Sequence, residues 1–434
     1  MEMQTVVTDP ALETSLEFLQ TMLRDCPQRD FSVRFWDGTT WSPDSSQEPR
    51  FTLRLNHPAS LRSMFLPPSD LTLGEAFIYN DFDVEGDIEA MIDVGDALFD
   101  SLGKKRLLGM AGRLLTLPSL DSPEHGMRPR LRLRGRRHSK ERDRAAVTSH
   151  YDVSNDFYQL WLDRRMVYSC AYFSDVAEDL DSAQTAKLDY ICRKLRLSPG
   201  ERLLDVGCGW GGLMIYAAQH YGVDAEGVTL SKPQAELANA RIKEAGLADR
   251  CRVRVLDYRD LEEDTGFDKV VSVGMFEHVG QAMLRAYFDK IWRVLRPGGV
   301  FLNHGIAHKK PGDAAPLWTG PSFIETYVFP DGELLTISES LTNAEDAGFE
   351  VRDVESLREH YALTLRRWVN NLEENRAQAT GASCEETYRI WRLYMAASAF
   401  GFAKGYINVY QTLLTKRNDE GQSGLPLRRD DWYA

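Results

Sequence analysis

LLDVGCGWGG, residues 203–212, is the stretch on which the reading of this chain turns. A short apolar run carrying Asp205 leads directly into Gly207, Gly209, Gly211 and Gly212. Glycines let a backbone turn tightly and let a ligand lie against it without meeting a Cβ atom. The spacing is G-x-G-x-G-G, whereas a pyrophosphate cradle favours G-x-G-x-x-G at a helix N-terminus. An acid two positions ahead of the first glycine suits a ligand that carries an ammonium group. The loop therefore favours an S-adenosylmethionine site over a nicotinamide site.

Working outward, the flanking text alternates between helix and strand. Residues 183–195 have helix composition, with Ala186, Leu188, Ile191 and Leu195 among charged residues. After the glycine loop come a predicted helix at 211–220, the strand DAEGVTL, a helix at 232–244, the strands CRVRVLD and FDKVVSVG, a helix through AMLRAYFDKIWRVL and the strand GVFLNHGIA. That rhythm predicts a doubly wound, Rossmann-like α/β sheet. Beyond residue 310 the chain reads as richer in helix, with amphipathic stretches at 355–373 and 386–416. Upstream, ALETSLEFLQTMLRDC reads as a helix, and the DG between FSVRFW and TTW reads as a hairpin turn. The predicted organisation is a small α+β domain at 1–105, a basic linker at 106–145 and a catalytic domain at 146–434.

The formal net charge is −13, which gives long-range repulsion from nucleic acid, and no apolar run is long enough to cross a bilayer. The dense basic segment is MRPRLRLRGRRHSKERDR, residues 127–144. It reads either as a patch for an anionic lipid surface or as an extended, solvated linker. It lacks aromatic residues for stacking on bases. Six cysteines without paired metal spacing fit a reducing cytoplasm, and HGIAH at 304–308 lacks the helical context of a zinc motif, so no metal is expected.

Further blocks carry a resemblance. HYDVSNDFY at 150–158, YSCAYF at 168–173, GVTLSKPQ at 227–234, DYRD at 257–260, VGMFEHVG at 273–280 and YVFPDG at 327–332 follow one another in order with the glycine loop. From about residue 145 to 415 the chain resembles the cyclopropane-fatty-acyl-phospholipid synthases, relatives of the mycolic acid cyclopropane synthases. The resemblance implies methyl transfer from S-adenosylmethionine to a cis double bond of a phospholipid acyl chain, with ring closure after loss of a proton. It also implies a bound bicarbonate, a homodimer, and peripheral contact with the inner membrane surface. Related lipid methyltransferases leave a methylene or methyl branch instead, and the motifs do not separate the two products.

The resemblance also assigns roles. Cys170, Glu277, His304 and Tyr361 correspond to the groups around bicarbonate, with His278 a weaker candidate. A carboxylate beside an imidazole would hold the ring in one tautomer or keep it protonated. Gly207, Gly209 and Gly211 would pass beneath the methionine portion of the cofactor, with Asp205 near its ammonium. Tyr168 and Ser169 match positions at the methionine end, Thr229 and Gln234 positions near the ribose, and Tyr258 and Arg259 positions around the adenine. Tyr168, Tyr172 and Phe173 are expected to lend ring faces to an acyl slot, where a positive charge would be favoured. Ser398 stands where similar bacterial enzymes often have a second cysteine.

Overall fold

In the computed structural model, which describes residues 9–101, 104–120, 135–151, 153–263, 265–308 and 322–433, the chain divides into two units. One comprises Met1–Leu131, Gly312–Val328 and Cys384–Phe400; the other comprises Arg132–Pro311, Phe329–Ser383 and Gly401–Ala434.

The first unit is built on a four-stranded sheet of β1 (Phe31–Arg34), β2 (Thr40–Trp41), β3 (Phe51–Leu55) and β4 (Phe82–Gly86), in the order β2-β1-β3-β4. The DG turn forms as read: Gly38 takes φ +88° and β1 pairs antiparallel with β2. β3 runs parallel to β1, and β4 closes antiparallel on β3. The division of the chain differs from the boundaries expected at residues 105 and 145. The helix Lys104–Leu114 falls in the first unit, residues 135–145 fall in the second, and two distant segments join the first. Bonds remote in sequence hold those segments. The Phe323 amide donates to Asp70 Oδ2 at 2.7 Å, Tyr327 Oη donates to Glu75 Oε1 at 2.9 Å, and the buried Arg389 guanidinium meets Asp83 Oδ2 at 2.8 Å.

The second unit carries a seven-stranded sheet: β5 (Arg202–Val206), β6 (Asp224–Thr229), β7 (Cys251–Val255), β8 (Phe267–Val273), β9 (Leu295–His308), β10 (Glu350–Ser356) and β11 (Ile407–Thr415). Their order is β10-β11-β9-β8-β5-β6-β7, with β9 to β7 mutually parallel, β11 antiparallel to β9 and β10 antiparallel to β11. Helices cover both faces, so strand side chains alternate between two cores. Leu203, Val271, Leu302 and Leu413 lie in one, while their neighbours Leu204, Val270, Phe301 and Leu414 lie in the other.

One expectation is corrected here. The stretch 386–416 is not helical throughout: the helix Glu385–Lys404 ends before Gly405, which has φ +73°, and INVYQTLLT then forms β11. Branched and aromatic residues favour the pleated conformation, and β9 pairs with this strand along its whole length. The predicted helix at 355–373 occupies Arg358–Glu374, preceded by β10.

From β5 the chain moves outward through β6 and β7, then returns to the other side of β5 with β8. The strand order reverses at β5, and ligands of open α/β sheets bind beyond the strand ends at such a point. The glycine loop is the continuation of β5, so topology places it there. Among the described residues no helix is long and apolar enough to cross a membrane.

Candidate active site

A cleft opens beyond the C-terminal ends of β5, β6 and β8. The glycine loop forms its floor through Gly207 and Gly209, and Asp205 lines it from β5. A Cβ on Gly207, which has φ +83°, would stand 2.9 Å from the Met275 side chain. Gly209 has φ +53°, and a Cβ there would meet no atom within 4 Å, so this residue faces open space. Gly211 does not line the cleft. It caps the helix Gly212–Tyr221, with Ala238 and Ile215 side chains 3.3 Å from the place of its missing Cβ.

The remaining walls come from three pairs of residues predicted for the cofactor. Tyr168 and Ser169 contribute one side, Thr229 and Gln234 another, and Tyr258 with Arg259 a third. Thr229 Oγ1 donates to Gln234 Oε1 at 2.8 Å, which orients the amide. Arg259 holds its own turn together. Its Nε donates to Asp257 Oδ1 at 2.8 Å, and its Nη1 donates to the His138 carbonyl at 3.1 Å. Its guanidinium also pairs with Asp143 at 3.0 Å. Burial pushes the Asp257 carboxyl up, yet the hydrogen bonds from Arg259 hold it below the ordinary range. Trp210 Nε1 donates to Asn155 Oδ1 at 2.8 Å, tying the HYDVSNDFY block to the glycine loop.

Sequence reading missed Lys187, a fully buried lysine on the cleft wall. Its Nζ donates to Ser169 Oγ at 2.8 Å. Burial lowers its pKa to about 8, against the attraction of Asp163, Cys170 and Asp205. Burial likewise raises Asp205 to about 7, with Lys187 opposing the rise. A lysine within TAKLDYICRKL looks like a solvated residue, and only packing reveals it as a buried charge.

The four residues assigned to the anion lie behind this cleft rather than on its wall. Cys170 is fully buried, its Sγ 3.6 Å from the Leu357 carbonyl, and burial keeps it a thiol far above neutral pH. Tyr361 follows on the helix Arg358–Glu374, packed at 4.6 Å between ring centroids on Phe402 and at 6.0 Å on Trp368. Trp368 in turn lies 5.3 Å from Tyr168, so an aromatic cluster runs from Tyr361 to the cleft. Tyr172 is turned elsewhere, stacked on His360 at 4.7 Å, and Phe173 faces the Arg367 guanidinium.

Glu277 reaches the backbone of β9, the strand that carries His304. Glu277 Oε1 accepts the Ile306 amide at 2.7 Å, while His304 lies two residues back along the strand and pairs with Val273 at the end of β8. Glu277 Oε2 and His304 Nε2 are both buried with no hydrogen-bond partner among the described residues. Burial raises Glu277 to about 7 and lowers His304 to about 3, the latter helped by Lys187 and Lys194. Of the two outcomes open for an imidazole beside a carboxylate, a ring held in one tautomer or one kept protonated, desolvation and two nearby cations favour the neutral ring. His278 lines the cleft, and burial lowers it to about 4.

Of the basic segment, residues 127–134, with Arg128, Arg130, Arg132 and Arg134, lie outside the described residues. In the remainder, Arg142 Nη2 donates to Asp331 Oδ1 at 2.8 Å, and Lys140 pairs with Asp260. Those two cations are engaged within the unit.

The geometry of Gly209 makes a direct prediction. Gly209→Ala places a side chain in the cleft on a left-handed backbone, a conformation that costs a non-glycine residue roughly 1–2 kcal/mol. The backbone cost falls on stability and should lower the thermal midpoint, while the methyl group on the open side of the loop should weaken S-adenosylmethionine binding, read by calorimetry on the folded variant. Unchanged affinity would show that the loop's open side does not face the ligand.

Residues 138–412 match the family of mycolic acid cyclopropane synthetases, and residues 18–104 match a domain of unknown function. The chain is 45% identical to a probable fatty acid methyltransferase of Pseudomonas putida, across 92% of this chain and 95% of that protein. It is 36% identical to the cyclopropane-fatty-acyl-phospholipid synthase of Escherichia coli (strain K12), across 68% of this chain and 75% of that one. Among solved structures, a mycolic acid cyclopropane synthase complexed with SAH and CTAB is 38% identical, with a TM-score of 0.59, covering 62% of this chain and 97% of its own.

Proposed function

The chain belongs to the mycolic acid cyclopropane synthetase family and is an S-adenosylmethionine-dependent C-methyltransferase acting on fatty-acyl chains; on that premise we propose that it methylates a cis double bond in a membrane phospholipid and releases a methylene- or methyl-branched chain. The extent of the likeness supports a branch. The fatty acid methyltransferase matches along 92% of the chain, and the cyclopropane synthase along 68%. Ring closure, expected from the motifs, is the second reading and uses the same site.

One observation carries the chemistry: a carboxyl poised near neutrality and a neutral imidazole, each with an unpartnered buried atom, lie behind the cofactor cleft. Bound S-adenosylmethionine supplies an electrophilic methyl group. Asp205 would hold its ammonium, Gly207 and Gly209 would let it approach the backbone, and Thr229, Gln234, Tyr258 and Arg259 would enclose the nucleoside. Gly211 acts through the helix it caps. Methylating an alkene places positive charge on the acyl chain, which ring faces stabilise and water would trap. The cluster of Tyr168, Trp368 and Tyr361 answers both needs. A proton must then leave, and we assign its removal to Glu277, directly or through the bound anion, because burial holds that carboxyl near neutrality. Glu277 Oε2 and His304 Nε2, buried and without a partner among the described residues, would offer an acceptor and a donor to a small oxyanion such as bicarbonate, whereas the Cys170 thiol is directed at the Ala171 and Leu357 carbonyls.

An acyl chain resident in a bilayer requires the enzyme to sit peripherally at the membrane surface, and the free thiols suit its cytoplasmic face. A homodimer belongs to the same reading. The test is mass spectrometry and NMR of phospholipids from a host expressing the protein. Methyl addition with loss of one proton adds one CH2 to an unsaturated chain, whether it ends as a ring, as a methylene branch or as a methyl branch on a retained double bond. Vinylidene or methyl-branch signals are the expected result. Ring methylene signals would transfer the assignment to cyclopropanation, and lipids of unaltered mass would refute acyl methylation.

A further inference from the structure

Three adjacent strands place one residue each in a single row: Glu355 on β10 is directly opposite Gln411 on β11, which is directly opposite His304 on β9. Residues opposite one another in register share a face of the sheet. Over that row lies the helix Leu180–Leu195, which brings Tyr190 and the fully buried Lys194. Tyr190 Oη donates to Glu355 Oε2 at 2.9 Å, and Lys194 pairs with the same carboxylate. Lys194 Nζ also reaches Gln411 Oε1 at 3.0 Å, and Gln411 Nε2 lies 3.2 Å from His304 Nδ1.

The direction of each bond follows from what each atom is able to do. An ammonium has donors only, so the amide atom facing Lys194 is the oxygen. The NH2 of Gln411 is thereby turned to His304, and it has only protons to offer. His304 Nδ1 must then be the unprotonated acceptor. A neutral ring with a bare Nδ1 carries its proton on Nε2. That nitrogen is buried and has no partner among the described residues.

We propose that Lys194 and Gln411 are positioning residues that lock His304 in its Nε2–H tautomer, making it an obligate hydrogen-bond donor to the reaction site and never the base. The mechanistic consequence rests on the function proposed above; the tautomer does not. His304 would hold an oxyanion or orient a carboxyl oxygen, and proton removal falls to Glu277 or the anion. The neutral state agrees with the surroundings, since Lys187 and Lys194 both disfavour an imidazolium there.

The experiment uses full-length protein with 15N-labelled histidine. The His304 ring is assigned by comparison with His304→Gln, and tautomers are read from long-range 1H–15N correlations without lipid present. The parent is expected to show a protonated Nε2 and a bare Nδ1. Gln411→Glu presents only acceptors, so the proton should move to Nδ1 or the ring should become doubly protonated. Its kcat on unsaturated vesicles should fall about 10–100-fold, the range known for groups that orient metal-bound histidines, with S-adenosylmethionine affinity unchanged. Gln411→Met keeps the volume without either amide group and should leave the tautomers mixed. A parent ring protonated on Nδ1 overturns the proposal even if every variant misfolds. So does a Gln411→Glu protein that keeps both the parent tautomer and the parent kcat. Absence of any lipid product from the parent would instead refute the function and leave the tautomer standing.

Discussion

Replacing Glu277 by glutamine is expected to lower kcat about 10²–10⁴-fold, the range for a group that moves a proton in the transition state, while the affinity for S-adenosylmethionine stays within a factor of about two. The side chain keeps its shape, and its Oε1 is replaced by a carbonyl able to accept the Ile306 amide as the carboxylate does. What is lost is the titration. Burial holds this carboxyl at about 7, so near neutral pH it is able to take a proton and return it. An amide is not. The sign of the pH dependence follows: the proton-accepting form is the carboxylate, so the parent's kcat should fall as pH drops through about 7. The residual rate of Glu277→Gln should lack that limb. Calorimetric titration of the cofactor beside single-turnover rates on vesicles separates the two effects. Affinity lost in proportion to rate would move Glu277 from the proton path to the cofactor site.

Asp205→Asn should do the opposite. A hydrogen bond to a charged group contributes about 1.5–3 kcal/mol, so loss of the carboxylate opposite the methionine ammonium is expected to weaken S-adenosylmethionine binding roughly 10–100-fold. At saturating cofactor, kcat should change only a few-fold. Because burial raises Asp205 to about 7, the parent's cofactor affinity should rise as pH increases through that value and the carboxylate forms. Asp205→Asn should flatten the profile. Lys187, whose ammonium lies near this carboxylate, stays behind in the variant, so thermal melts must accompany the titrations. A variant that binds the cofactor as the parent does would show that Asp205 serves Lys187 alone.

Much of this protein is legible in its sequence because the signals are local. A run of glycines after an apolar strand specifies a tight turn, and the helix and strand periods of 180–308 are written in neighbouring residues. The helix at 232–244 and the DG turn formed as read. Most of the cofactor positions lie within a few residues of strand ends, so topology alone gathers them. Gly211 faced away because the loop had already become a helix cap.

Tertiary structure decided the rest, since burial and register are properties of segments far apart in the chain. Residues 407–415 carry enough apolar spacing to extend a helix, and pairing with β9 made them a strand. Lys187 and Lys194 have the composition of a solvent face, and packing against the sheet buried both. The protonation of His304 depends on Gln411, more than a hundred positions later in the chain. The sequence by itself determined the glycine turn, the αβ rhythm and hence the cofactor end of the site, through local spacing and backbone preference. Only the folded sheet decided which charges are desolvated and which atoms of Glu277 and His304 are left for chemistry, because cross-strand register and dielectric exist only once the strands have paired.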